Sequence, residues 1–300
     1  MTRAAAPLLL FAIFVIACER PEPELPDIKP DAATPAPDAF AMTIAVDPER
    51  PVVGTRSNIR VQVGHGSDPP RLEPIAGHPV HLVAVSSDLR WYQHLHPQRK
   101  GNIWTSGITF SVAGRYILYA IIRPPNGPQR VEKQIVIAGG ETQSPSAESL
   151  SASPREKASG RYTVRLRTKP EPPEATIWSS LIFEISRDGA PVTNLTPTGR
   201  PGHMVIIREG GEDFVSYPHS TDGEALSGMR GRAHLPALPN ELDKDHRRHI
   251  GDTGPEVIFH AQFPHTGKYK LWVEFLAGGD PIRADFVLDV GPPKPLPHRD

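Results

Sequence analysis

The sequence has 300 residues, which allows about two domains, and a formal charge of -1 from 33 basic and 34 acidic residues. This balance argues against binding nucleic acid, or a membrane through a basic surface, because both need a positive field. The 35 prolines and 25 glycines punctuate short apolar runs, which favours strands and turns over helices. Cys18 is the one cysteine, so the folded part can contain neither a disulfide nor a cysteine-based zinc site.

Residues 1–18 are predicted to form a lipoprotein signal peptide. Arg3 supplies the positive start, and the apolar stretch 4–16 is too short to span a bilayer as a helix. The stretch ends at Cys18 in a pattern that resembles the bacterial lipobox, which implies lipidation of Cys18 and a periplasm-facing membrane anchor in the cell envelope. Glu19 follows it, and the absence of Asp there favours the outer membrane in a Gram-negative cell. The alternative is an ordinary signal peptide with an incidental cysteine.

Two segments with few apolar residues divide the remaining chain. Residues 19–41 are rich in proline and acidic residues, so they are predicted to form an extended tether. Residues 138–160 are rich in Ser, Gly, Pro and Glu and have no apolar periodicity, so the domain boundary is placed there. The predicted domains are therefore 42–137 and 161–290, followed by a proline-rich tail, 291–300.

Both domains show the apolar alternation of half-buried strands. In the first, strands are predicted at 42–47, 57–63, 79–86, 90–95, 103–110, 115–123 and 130–137. In the second, they are predicted at 161–167, 178–186, 202–208, 213–218, 256–263, 268–275 and 282–290. About seven short strands per domain, with turn residues between them, predict an all-β protein of two immunoglobulin-like β-sandwich domains in tandem.

The two halves also resemble each other. Gly77-His-Pro-Val-His81 and Gly199-Arg-Pro-Gly-His203 each open an apolar strand, and Phe110-Ser-Val-Ala-Gly-Arg-Tyr116 matches Phe263-Pro-His-Thr-Gly-Lys-Tyr269. The pattern is similar to the YtkA-like family and its relatives, best over 199–219 and 255–290. That resemblance implies an exported β-sandwich module, and it implies metal handling only by association.

Pairs of histidines flank the predicted hairpin turns. A turn centred on Gly211 would place His203 opposite His219, and a two-residue turn at 87–88 would place His81 opposite His94, with His96 further along the same face. Opposed residues have Cβ atoms about 4.5–5.5 Å apart, so two such imidazoles can reach one metal ion. The alternative is that these histidines have no metal and are strand caps or hydrogen-bonding core residues.

The other histidines do not form such pairs. His260 is a candidate third ligand in the second domain, because it points away from the face that carries Phe259. His65, His78, His265 and His298 have no predicted partner and are interpreted as surface residues. The segment 220–253 carries further histidines and acids, and is either a solvated loop or a lid with extra ligands.

No nucleophile elbow, phosphate loop or HExxH motif is present, so we expect no enzyme. The first hypothesis is a metal-binding envelope lipoprotein, with copper ahead of zinc because copper(II) binds nitrogen donors more tightly. Ligating imidazoles must be neutral, so binding should be tighter near pH 7.5 than near pH 5. The alternative is a structural or protein-binding sandwich that docks onto an envelope protein partner without metal.

Overall fold

The computed structural model describes residues 39–64, 70–75, 77–125, 127–140, 149–193, 195, 202–218 and 255–294. Every regular element in these ranges is a β-strand, and none of the described residues forms a helix able to cross a membrane. The first eight strands are β1 Met42–Asp47, β2 Arg56–Val63, β3 Val80–Ser86, β4 Tyr92–Leu95, β5 Gln98–Lys100, β6 Ile103–Thr109, β7 Gly114–Ile122 and β8 Arg130–Ala138.

The second half of the chain contributes nine strands. They are β9 Glu156–Ser159, β10 Tyr162–Lys169, β11 Trp178–Arg187, β12 Ala190–Pro191, β13 Gly202–Arg208, β14 Phe214–Pro218, β15 Glu256–Gln262, β16 Gly267–Ala277 and β17 Asp280–Val290. All the strands predicted from alternation are confirmed, with ends that differ by at most two residues. The sequence missed β5, β9 and β12, because two to four residues are too few to show a period of two.

The first half folds into a sandwich of two antiparallel four-stranded sheets, in the orders β1-β2-β6-β5 and β4-β3-β7-β8. Its core is the face that alternation predicts: Ile59, Val61 and Val63 of β2 are fully buried against Leu82, Leu118 and other apolar side chains. The order places β1, β2, β6 and β5 as strands A, B, E and D of an immunoglobulin-type fold, with β3 and β7 at the centre of the other sheet.

The second half repeats this arrangement. One sheet runs β9-β10-β11, with β15 and β12 both on the far side of β11, and the other runs β14-β13-β16-β17. A core of aromatic and aliphatic side chains, including Phe183, Phe259 and Phe286, lies between them. The prediction of two immunoglobulin-like β-sandwiches in tandem is confirmed.

Matching tyrosines support the internal repeat. The hydroxyl of Tyr116 donates to the carbonyl of Val112 at 2.6 Å, and the hydroxyl of Tyr269 donates to the carbonyl of His265 at 3.0 Å. Both bonds span four residues, as in the tyrosine corner of immunoglobulin-like folds. Tyr116 pairs with Ser86 and Tyr269 pairs with Arg208, so β3 and β13 occupy equivalent places.

A third apolar cluster joins the two sandwiches. It packs Val83, Val85 and Tyr119 of the first sandwich against Val205 and other residues of the second. These side chains lie on the outer faces of the sheets that contain β3 and β13, so the two sandwiches meet sheet to sheet. The described residues of both sandwiches accordingly belong to one compact unit. The boundary at 138–160 stays a prediction, since residues 141–148 lie outside the described part.

The contacts across this interface are reciprocal. Tyr119 stacks on Phe214 with ring centroids 4.1 Å apart, and Trp272 stacks on Tyr92 at 4.6 Å. Tyr119 and Trp272 each lie three residues after their corner tyrosine, and Tyr92 and Phe214 pair with equivalent residues of β3 and β13. Equivalent residues therefore exchange partners, which is the pattern of an interface with two-fold symmetry.

Candidate metal site

The two hairpins that carry histidines differ in register from the prediction. In the first, Val83 rather than His81 lies opposite His94, because the turn has four residues and is closed by a hydrogen bond from the Ser86 N–H to the Trp91 carbonyl. In the second, Pro218 lies opposite His203, because another four-residue turn is closed by a hydrogen bond from the Arg208 N–H to the Asp213 carbonyl. Both predicted oppositions are therefore wrong. The first differs by two positions, which keeps His81 and His94 on one face. The second differs by one position, and His219 itself lies outside the described residues.

The histidines of the first sandwich instead meet a histidine of the second. His81, His94 and His96 lie on the outer face of their sheet, and His203 lies on the facing outer face. The ring of His203 stacks on those of His94 and His81, with centroids 4.3 Å and 5.4 Å away. His81 lies five residues before Ser86, and His203 lies five residues before Arg208. Because Ser86 and Arg208 are the strand partners of the two corner tyrosines, His81 and His203 occupy the same position in the two repeats. The described residues thus form one shared cluster instead of one pair per domain.

A chain of hydrogen bonds orients the central pair. His81 Nε2 donates to the carbonyl of Ile75 at 2.6 Å, which leaves the Nδ1 lone pair of neutral His81 facing His94 Nε2, 2.8 Å away. On its other side, His94 Nδ1 lies 3.2 Å from Glu274 Oε2, and Glu274 also pairs with Arg283 at 3.0 Å. Both contacts of His94 are satisfied when each of its nitrogens carries a proton. A cation between the facing nitrogens would replace one of those protons.

The geometry suits a metal ion. Candidate ligand atoms of His81, His94 and His96 all lie within 4.8 Å of one another. Bonds of 2.0–2.1 Å place two nitrogens of a tetrahedral zinc site roughly 3.4 Å apart, so His81 and His94 need to separate by about half an ångström. The remaining nitrogens of these two histidines already face a backbone carbonyl and a carboxylate, which is the outer arrangement that ligating histidines have in metalloproteins.

Burial keeps most of the cluster neutral. Burial, followed by the nearby charge of His94, lowers the pKa of His81 to about 3 and that of His96 to about 4. The same causes lower the pKa of His203 well below its usual range. Imidazoles in this state are ready to ligate without losing a proton. For His81 and His96, protons would therefore compete with a metal ion only below about pH 5, lower than an ordinary histidine pKa predicts.

Glu274 is the acidic group of the site. Burial raises its pKa, but the hydrogen bond and charge of His94, together with the charge of Arg283, outweigh burial and lower the pKa overall. The carboxylate is therefore ionised at neutral pH and accepts from His94. A cavity of about 520 Å³, lined by Tyr92, Trp272 and Glu274 among others, opens beside His94.

The remaining predicted residues lie elsewhere. His260 is buried on the outer face of the opposite sheet, where its Nδ1 lies 3.2 Å from Ser180 Oγ. The core of the second sandwich, about 10 Å thick, lies between His260 and His203, so the structure does not bring them together. His219 and Cys18 lie outside the described residues, as does the segment 220–253.

Sequence reasoning missed two members of the cluster. The sequence predicts that His78 is a surface residue, but its ring stacks on that of His96 with centroids 3.7 Å apart. A tight turn, in which Ile75 and His78 exchange backbone hydrogen bonds, holds it there. The spacing of His78, His81, His94 and His96 was a usable signal. Glu274 gave no signal, because only the contact between the sandwiches brings it to His94.

Three solved structures match this chain at low sequence identity and with low TM-scores. A Salmonella alpha-2-macroglobulin mutant is 12% identical with a TM-score of 0.26, and the match covers 86% of this chain and 15% of that one. An adhesin of Yersinia pseudotuberculosis is 9% identical with a TM-score of 0.22, covering 83% and 59%. A membrane anchored protein from Corynebacterium diphtheriae is 11% identical with a TM-score of 0.24, covering 84% and 59%.

Among curated proteins, none matches this sequence. The resemblance to the YtkA-like family stays a prediction. One family profile, Domain of unknown function (DUF8832), matches residues 38–138 and 156–291, which include both sandwiches and therefore most of the chain. The protein belongs to this family, the Domain of unknown function (DUF8832) family.

Proposed function

We propose that the protein binds a transition metal ion, copper ahead of zinc, in the cell envelope. The observation that carries this proposal is the facing pair His81 Nδ1 and His94 Nε2, 2.8 Å apart, with His96 close by. Imidazole suits both metals, and copper(II) binds such donors more tightly than zinc does. Lipidation at Cys18 would hold the site outside the cytoplasm; it rests on the sequence of residues 1–18.

The pre-oriented outer contacts of the ligands support metal binding over chance clustering. A carbonyl and a carboxylate fix the rings of His81 and His94, so little ordering is left for the ion to impose. The five histidine rings form one connected cluster, each in contact with at least two others, and three of them are almost fully buried, so their desolvation costs folding free energy. Binding a cation would compensate this cost. No catalytic step is proposed.

Metal titration of the full chain tests the proposal. The C18A variant is used as background, because it removes lipidation and the one thiol. We expect Cu(II) and Zn(II) to bind, measured by calorimetry with a competing chelator, and the triple variant H81A/H94A/H96A to lose most of the affinity. H265A is the matched control, since His265 is 61% exposed and lies outside the cluster. The proposal would be rejected if the triple variant bound metal as tightly as the C18A background, or if neither protein bound metal.

A second candidate function is that of an envelope interaction module without metal. The supporting observation is the open edge of the first sandwich at β8, where Ile135 and Ile137 are each 40% exposed. An exposed strand edge with apolar side chains can accept a strand from a partner. I135K/I137K should abolish capture of an envelope partner and leave metal titration unchanged. Failure of the metal titration together with partner loss in I135K/I137K would favour this function.

A further inference from the structure

The proposed ligands belong to the first sandwich, but the group that orients the central ligand belongs to the second. Glu274 lies in β16, directly opposite His203 of β13, on the face that packs against the first sandwich. Its Oε2 lies 3.2 Å from His94 Nδ1, across the interface. The His94 side chain is only 2% exposed and that of Glu274 22%, so water screens this contact weakly.

We infer that Glu274 is a positioning residue for the metal site, so that the second sandwich sets the metal affinity of ligands held by the first. This inference rests on the proposed metal site. The carboxylate accepts the Nδ1 proton of His94, so that when a cation replaces the proton on Nε2, the lone pair that ligates is the one facing His81. It also makes that nitrogen a stronger donor to a cation.

The second contact of Glu274 supports this role. Arg283 of β17 holds the other carboxylate oxygen, Oε1, at 3.0 Å, so the carboxylate is fixed between a guanidinium and an imidazole. His203, stacked on His94, limits the tilt of that ring from the same sandwich. The site is therefore complete only while the two sandwiches are docked. A bound ion, by the same linkage, stabilises the docked arrangement.

Zinc affinity of the full chain with C18A, and of the same chain with E274Q added, tests the inference. We expect E274Q to raise the zinc Kd by about 10–100-fold, as loss of an outer carboxylate does in other metal sites. The matched control is E184Q, because Glu184 binds Arg167 on the other sheet of the same sandwich. It should stay within about twofold of the parent Kd.

Two further measurements separate positioning from folding. The visible spectrum of bound Co(II) should shift in E274Q, because the donor strength of His94 changes, and stay unshifted in E184Q. E274D keeps the charge and withdraws the carboxylate by one methylene, so its Kd should lie between those of the parent and E274Q. Should E274Q not fold, E274D decides: a Kd within twofold of the parent overturns the inference.

The outcomes distinguish this inference from the proposed function. If the parent chain binds none of Cu(II), Zn(II) and Co(II), the proposed metal site fails and the inference fails with it; if it binds Cu(II) alone, E274Q and E184Q are compared by their Cu(II) Kd. If the parent binds through the three histidines while E274Q matches it in Kd and in cobalt spectrum, the metal site stands and the positioning role of Glu274 is overturned.

Discussion

Lowering the pH should destabilise the protein through its buried histidines before its carboxylates titrate. The unfolded chain binds protons on histidine below about pH 6.5, whereas His81 in the folded chain does so only near its pKa of about 3. The folded state therefore binds fewer protons in this window, and the free energy of unfolding falls as the pH falls from 6.5 towards 3. Above pH 6.5 this contribution is fully present.

The expected magnitude follows from the width of the window. From pH 6.5 to 5.0, one and a half pH units at about 1.36 kcal/mol each give about 2 kcal/mol for His81. His96, with a pKa of about 4, adds about 1 kcal/mol after allowance for its partial exposure. The lowered pKa of His203 acts in the same direction. A loss of about 3 kcal/mol is a large part of the 5–15 kcal/mol typical of a domain.

Urea unfolding with a chelator present, at pH values from 7.5 to 5.0, measures this loss. H81Q should reduce the pH dependence by about 2 kcal/mol, whatever it does to the stability at pH 7.5. H265Q, which changes an exposed histidine outside the cluster, should keep the parent dependence. A free energy of unfolding that stays constant over this range, or an H81Q dependence equal to that of the parent, would refute the reasoning.

Three other predictions concern the anchor and the contact between the sandwiches. C18A should abolish palmitate labelling and membrane association, and labelling that persists would contradict the lipoprotein interpretation. Limited proteolysis should cut within 138–160, where the sequence lacks apolar periodicity. The two fragments should co-elute on gel filtration, because the sandwiches share an apolar interface, and fragments that separate would argue against that interface. G211A should destabilise the protein by about 1–3 kcal/mol in urea unfolding, because the added Cβ would lie 2.3 Å from Ile117 Cδ1 and the φ of Gly211 is +73°. A free energy of unfolding equal to that of the parent would contradict this close packing.

The fold could be predicted from the sequence because its information is local. Alternation in β2 and β10 identifies the buried face of each strand without reference to any other strand. The repeat of Phe110 to Tyr116 at Phe263 to Tyr269 then identifies two copies of one unit. The same local information predicted the faces of the histidines in the first hairpin, since an error of two positions in register preserves the face.

The site could be predicted only in part, because a turn length decides the register. Four-residue turns replaced the shorter or differently centred turns expected at 87–88 and Gly211, and a shift of one position moved the residue opposite His203 from His219 to Pro218. Residue types at a turn favour several loop lengths, so the pairing of flanking residues does not follow from them.

By itself, the sequence determined the β-sandwich class, the repeat and a set of histidines on one face of the first hairpin. Only the tertiary structure decided that this face packs against its equivalent in the second sandwich, so that His203 joins the cluster and Glu274 reaches His94. The physical reason is that the outer faces of both sheets are apolar as well as the inner ones. Alternation identifies a core within each sandwich, but the partner of an apolar outer face depends on how two folded surfaces fit together.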